Sequence, residues 1–176
     1  MAIRKIVYIG DEVLRKKARK VREFDESLHA LLDDMVETLD HAAGVGLAAP
    51  QVGVSERVIV VRLNDDEEAY GDEAGVLYEV INPELVKTSR EMVEDVEACL
   101  SIPGFFGEVE RHVTVTVRGQ DRHGNPIRIK PRDWLARVFQ HEIDHLDGVL
   151  YIDRASEVWE AREAPEEGEE ATVDAE

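Results

Sequence analysis

The chain has 176 residues, with 39 Asp and Glu against 21 Lys and Arg, one Cys, and a formal charge of −18. This length suits one domain with a real hydrophobic core, and a single thiol excludes an internal disulfide framework. No stretch approaches the ~20 apolar residues of a membrane span, and Arg4 and Lys5 precede an apolar run, Ile6 to Ile9, too short for a signal peptide.

In chain order, Leu28, Leu31, Leu32, Met35, Val36 and Leu39 recur at helical spacing, with Asp25 placed to cap the start and Gly44 to end the element. Arg57 to Leu63 and Val76 to Ile81 read as strands, separated by an acidic stretch, Asn64 to Gly75, expected to be a solvated loop. Val113 to Gly119 alternates Val113, Val115 and Val117, and Ile127-Arg128-Ile129 is its expected partner across the turn Asp121 to Pro126. A second helical period runs through Trp134, Leu135, Val138, Phe139, Ile143 and Leu146, preceded by Pro131 and ended by Gly148. Helix, then strands, then helix implies an α+β fold, mostly antiparallel strands packed around a central helix. Residues 1–155 are expected to form the folded domain and 156–176 an acidic tail, with nine acids against Arg162 alone. From Ala164 onward that tail reads as disordered, and its charge repels RNA phosphate. His29, His41, His112 and His123 are assigned surface or capping roles.

The second helix carries Gln140-His141-Glu142-Ile143-Asp144-His145-Leu146-Asp147-Gly148. Positions i and i+4 share a helix face, so both imidazoles can hold one metal ion, with Glu142 placed to take a proton from water. The apolar period sweeping through this stretch buries the helix, where unpartnered imidazoles would be costly. A catalytic site of this type needs a third protein ligand. The metzincin pattern fails, because Tyr151 stands where that family has its third His. Glu157, Glu160 and Glu163 are candidates, but in a tail where Glu is simply common. Cys99, within Glu97-Ala98-Cys99-Leu100-Ser101-Ile102-Pro103-Gly104, is the other candidate; a thiolate with two imidazoles suits Zn or Fe(II).

Three stretches, Gly44-Val45-Gly46-Leu47-Ala48-Ala49-Pro50-Gln51, Glu97 to Ser101 and Gln140 to Gly148, occur in the order of the motifs of the peptide deformylases, which this chain resembles over roughly residues 2 to 154. The resemblance implies removal of the N-formyl group from the initiator methionine of new polypeptides. It implies one divalent ion per chain on Cys99, His141 and His145, Fe(II) favoured over Zn or Ni. Glu142 would be the general base and then the general acid, and the Gln51 side-chain amide and the Leu100 backbone N–H the oxyanion donors. Gly44, Val45, Gly46, Trp134 and Val138 would line the substrate pocket. The expected partners are N-formylmethionyl nascent peptides, with transient proximity to the ribosome, in the cytoplasm; neither DNA nor a membrane is expected.

One position departs from the family, which usually has Gly where this chain has Ala98. A requirement there for positive φ or close substrate approach would penalise the methyl group. Glu97 is open between orienting a ligand His and pairing with a basic residue such as Arg111. Two other functions compete: an HExxH metallopeptidase indifferent to the formyl group, and a catalytically weak metal-binding homologue compromised by Ala98.

Overall fold

The structure, a computed structural model, describes residues 1–162. Its elements are, in order, α1 (Glu26–His41), β1 (Gly46–Ala48), β2 (Val58–Val61), α2 (Glu67–Tyr70), β3 (Tyr78–Thr88), β4 (Met92–Cys99), β5 (Ile102–His112), β6 (Val115–Gln120), β7 (Pro126–Ile129), α3 (Asp133–Leu146) and β8 (Glu157–Glu160), with short 3-10 turns between them. Two sheets form, β1-β2-β3-β6-β7 and β4-β5-β8, and every strand pairing is antiparallel. The α+β expectation therefore holds, and the central helix is α3, which touches β1, β2 and β3 of one sheet and β5 of the other.

Alternation on β2 explains the layering. All four of its residues are buried, but successive side chains point to opposite faces. Ile59 and Val61 pack with Leu135, Val138, Phe139 and Ile143 of α3, while Val58 and Val60 pack with Leu28, Leu31, Leu32, Met35 and Leu39 of α1. Each such side chain removed from water contributes roughly 1.5–3 kcal/mol. The two helices thus sandwich the larger sheet, and α3 is held from the side that also meets β5.

Asp25 caps α1 as expected, its carboxylate accepting from Leu28 N–H at 3.1 Å. The other end differs. The left-handed residue is Ala43, at φ 51°, not Gly44. Gly44 is small for another reason: a Cβ there would lie 3.0 Å from both Leu39 and Leu100. Gly148 ends α3 at φ 74°, and a Cβ on it would come within 2.6 Å of the Arg15 carbonyl, so both its conformation and the space around it call for glycine.

Three further expectations need correction. The acidic stretch after β2 is not simply a solvated loop, because Asp66 caps the single-turn helix α2 and Tyr70 packs against the core. β3 is longer than Val76 to Ile81: it continues through Pro83 to Thr88 by way of a bulge, with Asn82 at φ 52°. The folded domain also passes residue 155, since Glu157–Glu160 pairs with Phe105 to Glu108 as β8. The disorder expected from Ala164 onward lies outside the described residues.

Candidate metal centre

The Cys99 thiol and the two imidazoles, 42 and 46 residues further on, converge. Their ligand atoms lie within 4.8 Å of one another, and all three residues are buried. The i,i+4 spacing on α3 turns both rings to one side, with centroids 5.0 Å apart. Cys99 arrives from the last residue of β4, placing its Sγ 3.4 Å from His145 Nε2. Tyr151, which stands where a metzincin would have a ligand, instead stacks on the His141 ring at 6.0 Å. Glu157 and Glu160 lie on β8, outside the ligand cluster.

Charge is arranged around this cluster in a definite way. Glu97 Oε1 accepts from His141 Nδ1 at 2.8 Å, which leaves the other ring nitrogen for the ligand cluster. The same carboxylate receives a bidentate pair from Arg111, 2.9 Å on each oxygen, and a 2.7 Å bond from Arg137. Glu97 therefore does both things left open by the sequence. Arg111 continues to Asp144, which Arg154 also grips, and Arg137 is pinned by the carbonyls of Val93 and Val109. Burial pushes the Glu97 carboxyl up, but its bonds to Arg111 and His141 outweigh this and hold it well below the usual carboxylate range.

Burial pushes the His141 imidazole down, yet hydrogen bonding to Cys99 and Glu97 carries it well above its ordinary value. His145 goes the other way, burial and the neighbouring His141 charge keeping it neutral. The site thus offers a soft-to-borderline donor set, one sulfur and two imidazoles, with a carboxylate behind one ring. These residues fit a divalent transition-metal ion.

Glu142 follows His141 on the helix and is 3 % exposed. Burial is the main reason its carboxyl is pushed up to about 7. Among the described residues its Oε2 has no hydrogen-bond partner, so a buried acceptor is left for a proton-bearing molecule in the site. Gly46 makes room for this side chain: a Cβ there would fall 2.8 Å from Glu142 Cδ and closer still to Oε1. Gly46→Ala is therefore expected to displace the carboxylate and lower turnover about 10–100-fold while metal content stays at one ion per chain, read by steady-state kinetics and metal analysis. Wild-type turnover in that variant would show that the carboxylate's position does not matter.

The Gln51 side chain is locked in orientation. Ala48 N–H donates to its Oε1 at 2.9 Å, which turns Nε2 toward Cys99 Sγ, at 3.5 Å, and Ser101 Oγ, at 3.1 Å. Gly44, Val45, Gly46, Gln51, Cys99, Leu100, Trp134, Val138, His141 and Glu142 line one cavity of about 280 Å³, together with Ala43, Glu97, Ala98 and Arg137. The sequence candidates are thus brought together, with His145 behind them in the ligand cluster. Ala98 is not at positive φ, so the conformational objection to its methyl group disappears, and its side chain simply forms part of the cavity wall. Arg137, Ser101 and Asp144 were not singled out in the sequence. Arg137 had one signal, a charged residue on the buried face of α3, four positions before His141. Among the other histidines, His29 and His112 each bond a backbone carbonyl at 2.7 Å.

Residues 3–160 match the family model described as polypeptide deformylase. A peptide deformylase of Symbiobacterium thermophilum is 51% identical over 173 residues, covering 98% of this chain and 76% of that protein. The crystal structure of a peptide deformylase from Legionella pneumophila superposes with a TM-score of 0.79 at 46% identity, covering 88% of this chain and 87% of that one. The Thermotoga maritima peptide deformylase structure gives 0.81 at 41% identity, covering 89% and 100%. With this fold, this ligand cluster and this similarity to known members, the chain belongs to the polypeptide deformylase family.

Proposed function

We propose that this protein hydrolyses the N-formyl group from the N-terminal formylmethionine of newly made polypeptides, with the roles of its residues as follows. The observation that carries the reading is the convergence of Cys99, His141 and His145 beside Glu142, whose Oε2 lacks a partner among the described residues. Cys99, His141 and His145 would hold a divalent ion, Fe(II) favoured with Zn or Ni as alternatives, and such an ion supplies Lewis acidity and water activated near neutral pH. Glu142 takes a proton from the attacking water and delivers it to the departing amine, as the water oxygen bonds to the formyl carbon and the C–N bond breaks. The products are formate and a free N-terminus. Gln51 Nε2 and the Leu100 N–H donate to the oxygen that gains charge. Gly44, Val45, Gly46, Trp134 and Val138 bound the space for the methionine side chain, and Glu97 holds His141 in the tautomer that presents its free nitrogen.

Formylated N-termini arise during translation, so the partner is a nascent N-formylmethionyl peptide, in the cytoplasm and in transient proximity to the ribosome. Among the described residues, no helix is long and apolar enough to cross a membrane. Fe(II)-loaded protein incubated with formyl-Met-Ala-Ser is expected to release formate and free amine in equal amounts and to leave acetyl-Met-Ala-Ser intact. Chelation should abolish turnover, and Fe(II), Ni or Zn should restore it. Internal cleavage indifferent to the formyl group would point instead to a general metallopeptidase, and no release after reconstitution would reject the reading.

A further inference from the structure

From the backbone contacts of residues 2–9 we infer that this N-terminal arm is a positioning strap for the two oxyanion donors, an inference that rests on the roles given above to Gln51 and Leu100. Gln51 sits on a 3-10 turn after β1, and Leu100 and Ser101 on the turn between β4 and β5, so the donors are carried by turns next to strands of different sheets. Among the described residues, no backbone hydrogen bond joins those turns to each other. The arm joins them instead: Val7 N–H donates to the Gln51 carbonyl at 2.8 Å, and Ile9 N–H to the Ser101 carbonyl at 2.9 Å. Residues two apart on an extended segment present their N–H groups to the same side. The Gln51 amide closes the ring by donating to Ser101 Oγ at 3.1 Å.

Tyr8 and Ile9 are 53% and 46% exposed and Ile6 and Val7 are half-buried, while the bonds to the two turns come from the arm's backbone N–H groups. Its ends are tied elsewhere. Ala2 N–H and Arg4 Nε bond the Asp34 carboxylate on α1. Past the arm, Arg15 reaches the Gly148 carbonyl and Asp153, beyond the end of α3. A strap anchored at both ends restrains the separation of the two turns, and hence the spacing of Gln51 Nε2 from the Leu100 N–H.

Ile9→Pro removes one strap bond, whereas Ile9→Ala keeps the N–H and removes only an exposed side chain. Ile9→Pro is expected to lower kcat about 10-fold with KM within about 2-fold of wild type, and Ile9→Ala to keep wild-type kcat. In a Gln51→Ala background, Ile9→Pro should cost much less, because one donor it positions is already gone. In metal-free protein, the NMR signals of the Gln51 side-chain amide should move in Ile9→Pro and hold in Ile9→Ala. Equal kcat in the two Ile9 variants, or the same loss with and without Gln51, would overturn the strap. Should Gln51→Ala leave kcat intact, the donor assignment fails, and unmoved Gln51 signals in Ile9→Pro would then overturn the strap separately. If Ile9→Pro does not fold, Val7→Pro tests the other bond against the same expectations.

Discussion

Glu142→Gln is expected to lower kcat for formyl-peptide hydrolysis by about 10²–10⁴-fold while leaving one metal ion bound per chain. The substitution preserves shape but removes both basicity and charge from a side chain that is almost wholly buried. Three features make the effect large. The carboxylate lines the same cavity as Cys99 and His141, no other acid among the described residues of that cavity is free to replace it, and Glu97 is committed to two guanidiniums and an imidazole. Burial that pushes Glu142 up to about 7 also matches it to proton transfer near neutral pH, in both directions. Steady-state kinetics with formyl-Met-Ala-Ser, beside metal analysis, checks this. A variant within about tenfold of wild type would move the base role to another group.

Much of this site was legible because its chemistry is written in local patterns. His141, Glu142 and His145 follow from helical spacing, and the apolar residues around them show that the helix is buried. Cys99 could be proposed but not joined to that helix by spacing alone, because the pairing of β4 with β5 is what brings it there. Those two strands were also the main omission from the fold. β4 reads Met-Val-Glu-Asp-Val-Glu-Ala-Cys, and β5 contains Pro103, Gly104 and Gly107. Neither alternates cleanly: β4 is exposed along most of its length, so few of its positions are selected to be apolar, and Glu94 stands opposite Glu110 across the pair. Gly46 shows the reverse limit. Its presence was visible, but its reason is the Glu142 side chain, nearly a hundred residues later.

The second large effect is expected at Glu97. Replacing it with Ala leaves Arg111 and Arg137 facing one another with the carboxylate between them gone, and both side chains are only 4% exposed. Removing one partner of a buried ionic cluster typically costs about 3–5 kcal/mol, far more than an exposed pair, because the remaining charges are left unsolvated. Two guanidiniums share this one acid, although Arg111 retains Asp144 and Arg137 retains two carbonyls, which keeps the cost within that range. For a domain of this size the loss corresponds to a Tm lowered by roughly 10 °C. The same substitution frees the His141 ring, so metal affinity should fall about 10–100-fold, measured by competition with a chelator. Glu97→Gln separates the two consequences. Its amide oxygen can still accept from His141 Nδ1, so much of the affinity should return, whereas neutralising the charge between two buried arginines should leave most of the thermal loss in place. If Tm and affinity recover together in Glu97→Gln, hydrogen bonding alone explains the residue; if neither variant changes either quantity, the cluster is not what organises the metal centre.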